Sequence, residues 1–270
     1  MSAVDQLFTD LRTEGRKALM PFFTAGDPDI ATTARVIRAA EAAGANLCEV
    51  GVPYSDPIAD GPVIQASYQR ALDRGFRLQQ VMELGEDVKV DVRMPLVTMV
   101  SYAIIHRVGL ASYVQQAKTA GYSGAIVPDL LVEEAAPFSQ ICVDEDFSLI
   151  QLVTPTTPQD RQVRIAESSS GFLYYVSVTG ITGERTALPD DLAGNVKWLR
   201  EQTDLPICIG FGISDPETAA QLAPVADGLI VGSAVVRRVH DAVVTDTAAD
   251  RVTDFVKSLR HAVDNAPSAI

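Results

Sequence analysis

Short β-rich runs alternate with longer amphipathic segments along almost the whole of this 270-residue chain, and that alternation restricts the fold more than any other feature. Runs 18–23, 47–51, 95–100, 124–128, 147–153, 172–178, 206–211 and 227–232 are largely apolar and are bounded by Gly, Pro, Ser, Thr or Asp, as buried parallel strands are. Between them, segments 30–43, 104–120, 133–143, 160–167, 191–202 and 216–222 carry apolar residues at helical spacing. Eight such βα units predict an α/β chain folded as a single (β/α)8 TIM barrel over residues 1–270, because an open doubly wound sheet more often has fewer strands. Val4, Leu7, Phe8 and Leu11 predict an N-terminal helix, segments 64–76 and 78–90 predict an extra helix after strand two, and the tail 262–270 is expected to fray.

An apolar fraction of 47% supplies one large core, while a formal charge of -13 and a pI near 4.6 argue against nucleic acid or an anionic membrane as the main partner. A small phosphate must then be held locally, by backbone N–H groups and helix N-termini. Cys48, Cys142 and Cys208 are widely spaced among apolar neighbours, which predicts buried free thiols in a reducing compartment. His106, His240 and His261 show no metal-ligand spacing, so no metal is expected. The N-terminus lacks the basic and apolar regions of a signal peptide, and no apolar run approaches the roughly 18 residues of a membrane span; a cytoplasmic protein is expected.

The chemistry concentrates where the second run gives way to a loop, in Glu49-Val50-Gly51-Val52-Pro53-Tyr54-Ser55-Asp56-Pro57-Ile58-Ala59-Asp60-Gly61-Pro62. Glu49 is a lone acid in a buried apolar strand, and Pro53, Pro57 and Pro62 stiffen the loop that presents Asp56 and Asp60. Two acids beside one pocket can divide donor and acceptor roles. Small residues end runs seven and eight, in Gly210-Phe211-Gly212-Ile213-Ser214 and Gly232-Ser233-Ala234, where barrels commonly hold phosphate. The loop Thr179-Gly180-Ile181-Thr182-Gly183-Glu184-Arg185-Thr186 has the composition of a lid, with Gly183 offering an amide to phosphate and Thr182 a hydroxyl to a catalytic carboxylate. Ordinary strand-to-helix turns and a plain surface loop would carry the same glycines.

In this order, together with Pro21-Phe22-Phe23-Thr24-Ala25-Gly26-Asp27-Pro28 and Gly180-Ile181-Thr182-Gly183, the motifs resemble the tryptophan synthase alpha chain family over nearly the full length. The resemblance implies a retro-aldol lyase that splits indole-3-glycerol phosphate into indole and glyceraldehyde 3-phosphate. It implies Glu49 as principal acid/base and Asp60 as the partner of the indole N–H. Phe22, Val100, Ile126 and Tyr174 would line the substrate pocket, Tyr102 would approach the substrate hydroxyls or Asp60, and Gly183, Gly212, Gly232 and Ser233 would hold the phosphate. Val178 stands where some relatives have Arg. The resemblance also implies a beta-chain partner carrying pyridoxal phosphate, with no such site in this chain, in an α2β2 assembly faced by Asp56, Pro57 and Asp129.

A stand-alone lyase releasing free indole would use the same acids. A catalytically silent phosphate binder that regulates a partner would have no need of both Glu49 and Asp60, and a Schiff-base aldolase would need a strand-end Lys that is not evident. Ligand-dependent lid closure predicts that trypsin cuts the free protein after Arg185 and that a phosphorylated ligand slows the cut. Unchanged cleavage at ligand saturation would count against closure.

Overall fold

The computed structural model describes residues 1–57, 60–176, 192–210 and 212–266. Its strands are β1 (Ala18–Thr24), β2 (Cys48–Gly51), β3 (Leu96–Met99), β4 (Tyr122–Ile126), β5 (Ser148–Ile150), β6 (Leu152–Val153), β7 (Leu173–Val176), β8 (Ile207–Gly210) and β9 (Gly228–Val231). All ladders are parallel, in the order β5-β4-β3-β2-β1-β9-β8-β7-β6. Only Gln151 separates β5 from β6, so the two ends of that order are one stretch of chain and the sheet closes into a barrel. The expected single run 147–153 is thus divided: Ile150 O accepts from Val127 N on one side, and Gln151 O accepts from Tyr174 N on the other. The buried Gln151 side chain turns to donate to Ser168 Oγ at 2.7 Å.

The helices are α1 (Ala3–Thr13), α2 (Ile30–Ala42), α3 (Pro62–Asp73), α4 (Leu78–Val88), α5 (Tyr102–Val108), α6 (Leu110–Ala120), α7 (Ala136–Asp144), α8 (Gln159–Ser168), α9 (Leu192–Arg200), α10 (Pro216–Leu222), α11 (Ser233–Asp241) and α12 (Ala248–Asp264). The helix expected over 104–120 is two helices, because Gly109 sits at φ 95°, a conformation that interrupts the α-helical path and favours glycine. The helix expected from 133 starts at Ala136, with Pro137 in its first turn, where the missing N–H is harmless. The C-terminal helix runs on through Asp264 and buries Val263, so residues 262–264 are packed rather than frayed.

Strand periodicity separates two cores. On β1, Ala18, Met20 and Phe22 belong to the inner cluster, whereas Leu19 and Phe23 join the outer shell with Val36 and Ile37 of α2. On β2, Cys48 and Val50 face the outer shell, which leaves Leu47, Glu49 and Gly51 on the inward side. Helix α1 closes the N-terminal end of the barrel. Its Val4, Phe8 and Leu11 join the inner cluster, with the Phe8 and Phe172 rings 5.6 Å apart. Polar contacts pin it there: Ser2 Oγ lies 2.7 Å from Ser148 Oγ, and Gly171 N donates to Asp5 Oδ1 at 3.1 Å.

The stability of the barrel should therefore depend on this plug. Phe8→Ala removes a buried ring, and urea denaturation should show a loss of about 3–5 kcal/mol. A loss below about 1 kcal/mol would mean that the barrel interior does not rely on the plug.

Candidate active site

Glu49 lies in register between Phe22 of β1 and Val97 of β3, so its nearest strand neighbours are apolar. It is 0% exposed, and neither carboxyl oxygen has a hydrogen-bond partner among the described residues. Burial, and then the nearby charge of Asp60, hold its pKa well above the ordinary carboxylate range. Both effects favour the protonated form of the side chain over the carboxylate.

Asp60 immediately precedes Gly61, the N-cap of α3, and Pro62, which opens that helix with the fixed φ that suits a first turn. Gln65 Nε2 donates to the Asp60 carbonyl at 2.8 Å, and Asp60 N donates to Pro57 O at 3.1 Å, so the backbone at this point is held from both sides. Its carboxylate is buried, Oδ2 has no partner among the described residues, and burial pushes its pKa up to about 7. The helix that carries Asp60 at its entrance is fastened to the end of β1. Thr24 Oγ1 and Ser67 Oγ lie 2.6 Å apart, and the buried Asp27 takes a two-pronged contact from Arg70, at 3.0 Å from Nε and 2.6 Å from Nη2.

Both acids border a cavity of about 140 Å³ at the C-terminal ends of the strands, the end where barrel enzymes carry their sites. Phe22 and Tyr174 line it, as do Gly212, Gly232 and Ser233, so these sequence-predicted residues converge on one space. Gly51 and Gly210 make room for the rings. A Cβ on Gly51 would stand 2.3 Å from Phe22 Cζ, and one on Gly210 would stand 2.3 Å from the Tyr174 hydroxyl. Gly212 serves differently: its φ is 84° and, among the described residues, no other group lies within 4 Å of where a Cβ would stand, so backbone conformation requires it. Gly232 caps α11, and the first N–H groups of that helix have no intrahelical acceptors.

Other predicted residues lie outside the described lining. Ile126 is buried in the inner cluster, Val100 in the outer one, and the half-buried Tyr102 packs against the outer cluster with its ring 6.1 Å from His106. Asp129 is tied to the start of α5, accepting from Ser101 Oγ at 2.6 Å and from Tyr102 N at 2.7 Å. Asp56 and Pro57 border a separate open groove with Tyr54, Gln65 and Gln69. Thr182 and Gly183, with Val178 and Arg185 of the expected lid, lie outside the described residues.

Sequence reasoning did not single out Met99, Ile230, Ile213 or Arg237, all of which line the cavity. Met99 and Ile230 fall on the inward side of β3 and β9, so strand parity carried a signal for both. Arg237 lies one helical turn beyond Ser233, on the same face of α11.

The described lining combines a mostly apolar wall, two buried carboxyl groups of raised pKa, and the first backbone amides of α11 with the Arg237 guanidinium. The sequence profile described as tryptophan synthase alpha chain matches residues 8–264. The tryptophan synthase alpha chain of Rhodopirellula baltica is 68% identical, the match covering 98% of this chain and 100% of that one. That of Microcystis aeruginosa is 44% identical, over 97% and 100%. A crystal structure of the alpha chain from Legionella pneumophila superposes with a TM-score of 0.90 at 32% identity, covering 99% of both chains. A tryptophan synthase structure from Mycobacterium tuberculosis matches with a TM-score of 0.88 at 30% identity, over 97% of this chain and 98% of that one. The chain belongs to the tryptophan synthase alpha chain family, the lyases that cleave indole-3-glycerol phosphate to indole and glyceraldehyde 3-phosphate in tryptophan biosynthesis and that function with a beta chain.

Proposed function

We propose that Glu49 and Asp60 divide the retro-aldol cleavage between them. The observation that carries this is the pair of buried carboxyl groups, with three oxygens unpartnered among the described residues, on one largely apolar cavity. Protonated Glu49 gives its proton to indole C3. The ring nitrogen becomes cationic, and ionised Asp60 accepts its N–H and stabilises that charge. Glu49, now a carboxylate, takes the proton from the hydroxyl on the carbon attached to the ring. The carbon–carbon bond breaks, its electrons return to the ring, and indole and an aldehyde leave with Glu49 again protonated. No electron or proton is left over, so these residues need no redox partner.

Phe22 and Tyr174 sandwich the ring region, with Met99, Ile213 and Ile230 completing its apolar wall. The phosphate lies at the N-terminus of α11, where the Ser233 and Ala234 amides and the Ser233 hydroxyl meet the anion, with Gly212 and Arg237 beside it. Gly183 and Thr182 would add the contacts assigned to them above, and Val100, Tyr102 and Ile126 would support the pocket from behind. The partner is a pyridoxal-phosphate-bearing beta chain in an α2β2 assembly, reached through Asp56, Pro57 and Asp129, and both chains act in the cytoplasm. The exposure of Asp56 beside an open groove supports that placement.

Indole release from indole-3-glycerol phosphate tests the assignments. Glu49→Gln should lower turnover by at least about 10²-fold with folding retained, and near-normal turnover would reject the role. Because Asp60 must be ionised and its pKa is raised to about 7, kcat/KM should climb through an acid limb near pH 7; a flat profile from about pH 5 to 8 would remove Asp60 from the mechanism. Activity should rise when the beta chain is added, and equal activity with and without it would undermine the coupling.

A further inference from the structure

Tyr68 holds a polar group that the mechanism above leaves unused. It lies on α3 between two residues that fix the helix to β1, Ser67 through Thr24 and Arg70 through Asp27, so the rotation of α3 about its axis is locked at this point. That rotation sends Tyr68 into the inner cluster, where it is 1% exposed and packs at a tilt of 53° against the Tyr54 ring, with 5.7 Å between centroids. Its hydroxyl ends beside Gly51, 2.8 Å from the point a Cβ there would occupy, on the same inward side of β2 as Glu49. The hydroxyl has no hydrogen-bond partner among the described residues.

A phenol buried in this way is costly unless something completes it, and the groups near it are acceptors in the same condition. Glu49 Oε1, Glu49 Oε2 and Asp60 Oδ2 are also buried without partners among the described residues. Burial and, next, the charge of Asp60 push the Tyr68 phenol well above its usual range, with Tyr54 and Glu49 contributing less. Tyr68 therefore keeps its proton and can only donate to an anion, and Asp60 is the acid that acts on it most strongly. Tyr174 shows the opposite order, feeling Glu49 more than Asp60.

We propose that Tyr68 is a positioning residue for Asp60: when the indole ring occupies the cavity, its hydroxyl donates to the free Asp60 carboxylate oxygen, keeping that carboxylate ionised and aimed at the ring N–H. The inference rests on the lyase roles of Glu49 and Asp60 given above. It answers a problem those roles create, since the apolar slot that suits the ring favours protonation of both acids while the reaction needs one of them charged. A donor on the far side of Asp60 separates the two without adding a charge. Among the described residues, the ionisable groups that share the cavity with Asp60 or feel its charge are Glu49 from β2, Tyr54 from the loop after β2, Tyr68 from α3, Tyr174 from β7 and Arg237 from α11, and of these Tyr68 is a fully buried neutral donor whose hydroxyl has no described partner.

The test is the pH dependence of indole release by the chain with its beta partner, for wild type, Tyr68→Phe and Tyr54→Phe. In wild type the acid limb of kcat, which reports the substrate complex, should lie below that of kcat/KM, which reports the free enzyme. In Tyr68→Phe the kcat limb should move up by about one pH unit, giving up to about tenfold lower kcat below the limb and near-normal kcat well above it, with KM little changed. The urea midpoint should be unchanged or higher, because the substitution keeps the ring and deletes an unpartnered hydroxyl. An unshifted limb, a loss equal at every pH, or a shift in Tyr54→Phe but not in Tyr68→Phe would overturn the proposal. So would coincident kcat and kcat/KM limbs in wild type, a reading that needs no variant. Failure of the lyase roles themselves shows differently, as no indole release by wild type or as full activity in Glu49→Gln.

Discussion

Everything at the C-terminal end of this barrel depends on keeping a carboxylic acid in a place where no described residue offers it a partner. Strand parity puts Glu49 inside, β1 and β3 flank it with Phe22 and Val97, and neither of its oxygens finds a donor among the described residues. Such an acid is tolerated in its protonated form, which burial and the nearby charge of Asp60 favour by raising its pKa well above the ordinary carboxylate range. The surrounding structure is built to tolerate that choice: α1 closes the other end of the barrel, and α3 is bolted to β1 so that Asp60 meets Glu49 across the same space.

The arrangement works against stability. A carboxyl whose folded-state pKa is raised binds its proton more tightly in the folded chain, so its contribution to folding is greatest below the ordinary value of 3.8 and declines as pH rises through about 7. Asp60 is thus least favourable to the fold at the pH where it is ionised, the state that the proposed mechanism requires. Glu49 opposes its own ionisation in the same sense. Acids selected for stability alone would sit beside cations, as Asp27 does with Arg70.

Much of this was legible in the residues. Alternation of strand and helix patterns announced a barrel, and the lone Glu49 in an apolar run, with Asp60 in the proline-stiffened loop that follows, marked where the cavity lies. Period two also placed Met99 and Ile230 inside, although a strand pattern does not say how deep along the barrel axis a side chain falls. Other features depend on contacts that cross the chain. Gly109 divides one amphipathic pattern into two helices because both halves pack on the same shell, and the apolar periodicity runs through the break. The interruption at Gln151 arises from closing the sheet on itself, and Arg237 becomes a wall of the cavity only when α11 follows β9. Tyr68 sits within the helical segment 64–76, and only the locked rotation of α3 shows where its hydroxyl ends.

The glycines at 51 and 210 have a consequence for how this site can change. Each leaves vacant the volume into which an aromatic ring leans, so the outline of the slot is drawn by two missing methyl groups as much as by the rings themselves. An alanine at either position would press Phe22 or Tyr174 toward the ring-binding space while both acids stayed in place. Preference among flat substrates of different width is therefore adjustable from the backbone side of the barrel wall, and at position 51 the added methyl would meet the Tyr68 hydroxyl as well as the Phe22 ring.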